Sequence, residues 1–549
     1  MQLLLILLII ILIFRLINNQ IKKRYYKKLN DFLKSNWGKP KTNEYFNYDK
    51  ISLYFDKTSN KNKAFHIIDE QIKNDLDLDE VFKFIDRTSS KIGQQYLYYK
   101  IRTIYSQEKL INFTRLVKKF QENKKLALQC QSELIKLNHL SNYDLEALIN
   151  DGVVDKPTYK KYLIPLAVLS LIIIIAGIYK PIFFLWLIPI FLINSILHYK
   201  TKAYINYYLS AINQLDKSLS VSKKLLLLPE IKEHFPNISF INKIKEIQLK
   251  TKFIGFEKQL SNEILIFLWI FTEIFKIIFN FESIIFYSFI DDILIKNNSI
   301  DQMFQFIGEI DSAISVASIK AGNHTTCKPE FINKKQINIV EVTHPLIEKC
   351  IPNDIELSNK SLLLTGSNMS GKTTFIRTIA INSILSETLG FAFAKKFEIP
   401  FFRVYTSIRI SDNILQKTSY FLEEVSAINK LMEATENSSP NLFVLDEIFK
   451  GTNTIERISA GKAILNYLNT PKDMVLVSTH DIELTDLLKN NYDLYHFSEQ
   501  VVSNQIVFDH KIKQGRLTTR NAIKILELCK FPKKVIEDAK KTENKLFKK

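Results

Sequence analysis

The stretch from Leu362 to Thr374 constrains the fold of this chain more than any other. The apolar run Leu362-Leu363-Leu364 passes through Thr365 into Gly366-Ser367-Asn368-Met369-Ser370-Gly371-Lys372-Thr373-Thr374, and a helical pattern follows. A G-x-x-x-x-G-K-T loop set between a short apolar strand and a helix requires an α/β sheet around it. Gly366 and Gly371 let the backbone curl so that successive N–H groups point inward at phosphate oxygens. Lys372 is placed to reach the β- and γ-phosphates, and the Thr373 hydroxyl to complete a Mg2+ shell. The helix opening near Lys372 adds its positive end to the same anion. A nucleoside triphosphate with Mg2+ is the expected ligand.

Two later strands complete the pattern. Asn441-Leu-Phe-Val-Leu-Asp446-Glu447 reads as a buried strand ending in two carboxylates, and Gly451-Thr452-Asn453-Thr454 follows. Asp446 is the expected Mg2+ partner, and Glu447, one residue on, is placed to polarise an attacking water. Met474-Val-Leu-Val-Ser-Thr479-His480-Asp481 reads as another buried parallel strand with a histidine at its carboxyl end. Ligands of open α/β sheets sit at such ends, which makes His480 a candidate γ-phosphate sensor.

These residues carry a family resemblance. Thr365 to Ala380 resembles the P-loop of the MutS family, whose Asn-Met pair few other NTPases share. Leu445 to Thr454 resembles the Walker B and D-loop of that family, and Ser478 to Thr485 its histidine switch. Ile408-Arg-Ile-Ser-Asp412-Asn413 and Thr418-Ser419-Tyr-Phe-Leu-Glu-Glu424 look like two further MutS elements. The resemblance implies a Mg2+-dependent ATPase acting as a homodimer, in which Ser419 and its neighbours complete the ATP site of the partner subunit. Thr343-His344-Pro345-Leu346 and Ile351-Pro-Asn-Asp354 match the segment that lines the adenine pocket, and Tyr495 to Ala539 resembles the closing strands and last helix. The match covers roughly residues 336–545. Ser367, Ser370 and Thr373 stand where the family has Pro, Gly and Ser, and Phe449-Lys450 where it has Gly-Arg. None of these removes a catalytic group, although the last touches the cross-subunit contact.

An ABC-class transport ATPase shares the P-loop, Walker B and histidine logic. It is disfavoured because no L-S-G-G-Q signature is present and Ser419-Tyr-Phe-Leu-Glu-Glu424 takes its place. The four cysteines, at 130, 327, 350 and 529, form no C-x-x-C pair, which argues against a cysteine metal site or a disulfide framework. Lys and Arg outnumber Asp and Glu, 75 to 57, for a net charge of +18. That excess fits nucleic acid or anionic lipid, but Lys, Asn and Ile are frequent throughout, so charge is weak support for DNA.

Three apolar segments stand outside the resemblance. Residues 1–17 are apolar up to Arg15, and the basic cluster Lys22, Lys23, Arg24, Lys27 and Lys28 follows rather than precedes them. That order suits a membrane anchor better than a cleaved signal peptide. Tyr162 to Tyr179 and Ile182 to Leu197, joined by Lys180-Pro181, read as a transmembrane hairpin with Lys156, Lys160 and Lys161 before it and Lys200 and Lys202 after it. Residues 264–290 are nearly as apolar, but Glu273, Lys276 and Glu282 interrupt them, and an amphipathic core helix is the expected form. The count is about three spans with the ATPase domain cytoplasmic, in a multi-pass protein of the inner (cytoplasmic) membrane.

Phe84-Ile-Asp86-Arg87-Thr88-Ser-Ser-Lys-Ile-Gly93-Gln-Gln-Tyr-Leu97 resembles the MutS core-domain signature, and Phe306 to Ala317 its lever element. Residues 20–75 are too short for the mismatch-reading domain and lack its Phe-x-Glu, so that domain is expected to be absent. The expected organisation is an anchor at 1–19, a first core segment at 20–161, a membrane hairpin at 162–198, a core/lever region at 199–335 and an ATPase domain at 336–549. The expected fold is an α/β P-loop NTPase domain with a helical core/lever domain and about three transmembrane helices. The expected function is a membrane-anchored ATPase that binds DNA. The alternative is an ATP-driven membrane scaffold or mechanochemical protein acting on a protein or lipid partner without DNA.

Overall fold

Long helices dominate the first part of the chain because its apolar residues come in runs too long and too uninterrupted for strands. The computed structural model describes residues 2–42, 44–150, 157–248, 250, 266–367, 370–409, 420–449, 452–502, 505–517, 527 and 531–547. They fall into two units, one of residues 1–62, 85–100 and 113–322, the other of residues 63–84, 101–112 and 323–549.

The first unit opens with α1 (Gln2–Asn36), which runs unbroken from the apolar segment through Arg15 and the basic cluster. Its residues Leu12, Ile13, Phe14, Leu16 and Ile17 are exposed. The hairpin consists of α2 (Lys160–Tyr179), a 3-10 turn at Pro181–Trp186 and α3 (Leu187–Leu225). Among the described residues, the helices long and apolar enough to cross a membrane are Lys160–Tyr179 and Pro181–Leu225. Only 17% of the apolar window is buried in each. A core helix of a soluble protein buries such a surface, whereas a lipid-facing helix leaves it open.

Farther along lie α4 (Ile266–Ile278) and α5 (Phe281–Lys320), and the far half of α5 is the core of the unit. There the core signature and the lever element meet. Asp311 Oδ1 accepts the Ser89 N–H at 2.8 Å, and its Oδ2 accepts the Ser90 N–H at 2.8 Å and the Ser90 hydroxyl at 2.6 Å. Burial pushes the Asp311 carboxyl up to about 6. Ser315 Oγ takes the Arg87 N–H at 2.8 Å and donates to the Ile85 carbonyl. The Gly93 backbone lies so close that a Cβ there would meet Asp311 Oδ2 at 2.1 Å, so only glycine fits.

Glu273, Lys276 and Glu282 turn inward, while Ile270, Phe271, Ile274 and Phe275 of α4 are exposed. In α4 this is the reverse of the amphipathic core helix expected from the sequence, whereas the start of α5 does bury Phe286, Tyr287, Phe289 and Ile290. The charges face inward because Glu273 is matched by side chains of α3: His198 Nε2 lies 3.1 Å and Lys202 Nζ 2.8 Å from its Oε1.

In the second unit, short strands form a mostly parallel sheet whose three central members are largely apolar and buried on both faces, as such composition demands. The strands are β1 (Ser361–Thr365), β2 (Arg403–Ser407), β3 (Asn441–Asp446), β4 (Met474–Ser478), β5 (Tyr492–His496) and β6 (Lys513–Gln514), in the spatial order β6-β5-β1-β4-β3-β2. All pairings are parallel except that of β6 with β5. The helices α6 (Lys372–Leu389), α7 (Tyr420–Ala434) and α8 (Thr454–Leu468) belong to the same unit. Leu363, Phe443, Leu445, Val475 and Val477 share a core with Ile428 and Leu431 of α7 and Leu465 of α8. A second sheet joins Glu330–Phe331, Lys396–Ile399, Gln336–Val342 and Asn353–Ser358 in that order.

Candidate functional site

Parallel register brings the motif residues together. Ser478 pairs with Asp446 on one side and with Leu364 on the other, so the carboxyl ends of β1, β4 and β3 form one row. The loop after β1 begins at Gly366, whose φ of +153° admits a close approach: a Cβ there would meet the Phe497 carbonyl and Ser370 Oγ at 2.9 Å. Gly371, at φ +111°, is the N-cap of α6. Ser370 Oγ donates to the Ser367 carbonyl at 2.8 Å, and Ser367 Oγ donates to Glu499 at 2.7 Å. Thr374 follows in the first turn of α6. Asn368, Met369 and Ser419 lie outside the described residues.

Lys372 is buried, and its ammonium donates to the Gly366 and Ser367 carbonyls at 2.8 and 2.9 Å. Thr373 Oγ1 lies 3.0 Å from Asp446 Oδ2, and Ser478 Oγ donates to the other oxygen of the same carboxylate. These are hard oxygen donors beside a phosphate-type loop, and the set fits Mg2+. Glu447 follows directly, at φ +57°, its N–H held by the Ser478 carbonyl at 2.9 Å. Its Oε1 meets His480 Nε2 at 2.5 Å, which joins the two carboxyl-end groups that the sequence had singled out separately. A left-handed backbone at a glutamate is strained, and such strain gathers at functional positions.

Phe449 is also left-handed, at φ +59°, a conformation that glycine adopts without strain. Its N–H donates to the buried carboxylate of Glu424. The substitution for glycine noted in the sequence therefore falls where the backbone favours glycine, and a bond from α7 holds it there. Arg457 of α8 grips Asp481 through two bonds of 2.9 and 2.6 Å, fixing the turn that carries His480.

A cleft of about 410 Å3 opens beside the loop. Ile347, Ile351 and Asn353 line it together with Lys372, Thr373 and His510. Its walls combine apolar and polar groups, as a nucleoside pocket requires. His510 Nδ1 is 3.1 Å from the Ser370 carbonyl, a contact with no signal in the sequence. Burial pushes the His344 imidazole down to about 4, so it is neutral at physiological pH.

The residues that sequence reasoning missed come from far upstream. Asp75 is buried and accepts the Thr406 hydroxyl at 2.6 Å and the N–H groups of Ile408 and Arg409 at 3.1 and 2.7 Å. Asp77 holds Arg409 with bonds of 2.5 and 2.8 Å, and also Arg377 of α6 at 3.3 Å. Burial, with Arg409 nearby, lowers the Arg377 guanidinium below its ordinary value. One carboxylate thus ties the phosphate-loop helix to the chain leaving β2. Replacing Asp75 by alanine leaves the buried Thr406 hydroxyl and the buried Ile408 N–H unmet, at about 1–3 kcal/mol each. The Asp75→Ala protein is expected to unfold at a markedly lower temperature than the parent, and a thermal midpoint within one degree of it would refute that role.

Residues 362–547 match the family model described as MutS domain V. The C-terminal domain belongs to the MutS family. The chain is similar to the DNA mismatch repair protein MutS of Staphylococcus aureus, in strain JH9 and in strain Newman, at 32% identity over 257 residues in each. Those matches take in 44% of this chain and 29% of each relative, so the chain spans less than a third of the length of these MutS proteins.

Proposed function

We propose that this protein is a membrane-anchored, MutS-type ATPase in which two protomers enclose ATP and pass its state to bound DNA. The observation that carries the reading is the convergence of Lys372, Thr373, Asp446, Glu447 and His480 at the ends of three neighbouring strands. Lys372 would exchange its two loop carbonyls for β- and γ-phosphate oxygens, with the loop N–H groups from Gly366 to Thr374 around them. Thr373 and Asp446 would hold Mg2+, which when bound neutralises charge on the phosphate chain. Glu447 would orient the attacking water and take its proton, while His480 holds that carboxylate in place. Ser419 of one protomer would complete the site of the other, so that nucleotide binding and dimer formation share one equilibrium.

The membrane part rests on the two open apolar helices and on α1, which together give about three spans. Lys160 and Lys161 precede the hairpin and Lys200 and Lys202 follow its apolar part, which favours a cytoplasmic ATPase domain by the positive-inside rule. DNA as ligand is drawn from the named relatives and agrees with the net charge of +18.

The test is the ATPase rate of the detergent-purified protein, alone and with plain, mismatched or branched duplex DNA, over a series of salt concentrations. Stimulation by one DNA form is expected, with binding that weakens steeply as salt rises because counterions are displaced. A rate that no DNA changes at low salt would overturn the DNA reading. It would favour a membrane scaffold acting on a protein or lipid, which the exposed hairpin also suits.

A further inference from the structure

The helical turn between α4 and α5 is built like a hairpin that enters a membrane from one side and returns. Ile270, Phe271, Ile274 and Phe275 of α4, and Phe281 at the start of α5, are 40–79% exposed and share one apolar surface. The charged residues of the same helices point the other way. Glu273 and Glu282 are buried, Lys276 Nζ lies 3.6 Å from Glu273 and 3.4 Å from Glu282, and His198 and Lys202 of α3 close on Glu273. Two carboxylates thus face two ammonium groups, and the cluster is self-neutralised. Ionisable groups turned inward beneath an apolar exterior mark a lipid-facing helix, because lipid offers them no solvation. A water-facing helix has the opposite polarity.

The Ile278 carbonyl at the turn is satisfied without water. Asn194 of α3 is fully buried; its Nδ2 donates to the Ile278 carbonyl at 2.9 Å, and its Oδ1 accepts from Asn280 Nδ2 at 2.7 Å. Asn280 adopts the left-handed conformation, at φ +48°, that reverses the chain. A carbonyl at a helix end in hydrocarbon needs such a partner. Asn194 also sets the depth. It lies one turn inside His198 and two turns inside Lys202, so by helical rise the tip sits roughly 12 Å inside Lys202 and about 5 Å inside Leu197, where the apolar stretch of α3 ends.

We propose that α4 and the start of α5 form a re-entrant wedge in the cytoplasmic leaflet. Its apolar face would contact phospholipid acyl chains, and its charged cluster would lie at headgroup level. The proposal rests on the reading of the hairpin as membrane-spanning and commits to lipid because the exposed face continues that of α2 and α3. The wedge is one end of a rod. At 40 residues α5 is about 60 Å long, and Asp311 and Ser315, which hold the core signature, lie roughly 45–50 Å along it without a break. Displacement of that core would therefore reach the inner leaflet directly.

The experiment places an environment-sensitive fluorophore on single cysteines of the full chain, reconstituted in phosphatidylcholine–phosphatidylglycerol vesicles. The background carries Cys327→Ser, Cys350→Ser and Cys529→Ser, Cys130 being fully buried. The labelled variants are Phe275→Cys, Ile172→Cys in the middle of α2 and Ile295→Cys on the exposed side of α5. Quenchers are lipids carrying a nitroxide near the headgroup or deep in the chain. The expected result is strong quenching at 275 by the shallow label, at 172 by the deep label, and none above background at 295. Quenching at 172 without quenching at 275 would overturn the wedge and leave the spanning hairpin intact. Absence of quenching at both would overturn the membrane reading and the wedge with it. Stronger quenching at 275 by the deep label would overturn the shallow placement.

Discussion

Replacing Lys372 by alanine is expected to lower kcat/KM for ATP by about three orders of magnitude or more, the scale of losing a charged group aimed at the reacting phosphate. Lys372 is the buried ammonium inside the loop, and it already faces inward, held by the Gly366 and Ser367 carbonyls. A triphosphate lying in the loop competes for that ammonium with far more charge than two carbonyls carry. Alanine removes the competition and leaves both carbonyls facing the phosphates, so binding and turnover should fail together. Binding of a fluorescent ATP analogue and release of phosphate, measured on one preparation, check both. Retention of either at parental level would remove Lys372 from the site.

Glu447→Gln is expected to separate the two effects. The glutamine keeps the size of the side chain and can still reach His480, but it no longer accepts a proton from water. Turnover should fall by about 10²–10³-fold, the range found when a positioned acid–base or transition-state group is removed, while nucleotide binding stays near parental strength. If two protomers enclose the nucleotide, the variant should also accumulate as an ATP-dependent dimer in light scattering. A variant that turns over ATP normally would assign the water-activating role elsewhere. A slow variant that stays monomeric with ATP would sink the composite site and leave the role of Glu447 standing.

Much of this site was legible along the chain. The P-loop, Asp446-Glu447 and His480 each close a short apolar run, and each run is a buried parallel strand. Such strands have few alternatives once their composition is given, and ligands collect at their carboxyl ends. The pairing of Glu447 with His480 was not legible, because 33 residues separate them and nothing local sets the neighbour order of strands. Asp75 was further out of reach. Its partner Thr406 is 331 residues away, and an aspartate near the end of a short helix has the same local signature whether it caps, pairs or faces water.

The sequence by itself determined that a phosphate-binding α/β domain follows a helical region with long apolar stretches. It did so through periodicity, run length and a loop chemistry that only one local geometry satisfies. Tertiary structure alone decided which way α4 faces. A helix with one charged stripe and one apolar stripe reads the same in sequence whether it is turned toward water or toward lipid. The choice fell to His198, Lys202 and Asn194, on another helix, which supply the ion pairs and hydrogen bonds that draw the polar stripe inward and leave the phenylalanines outside.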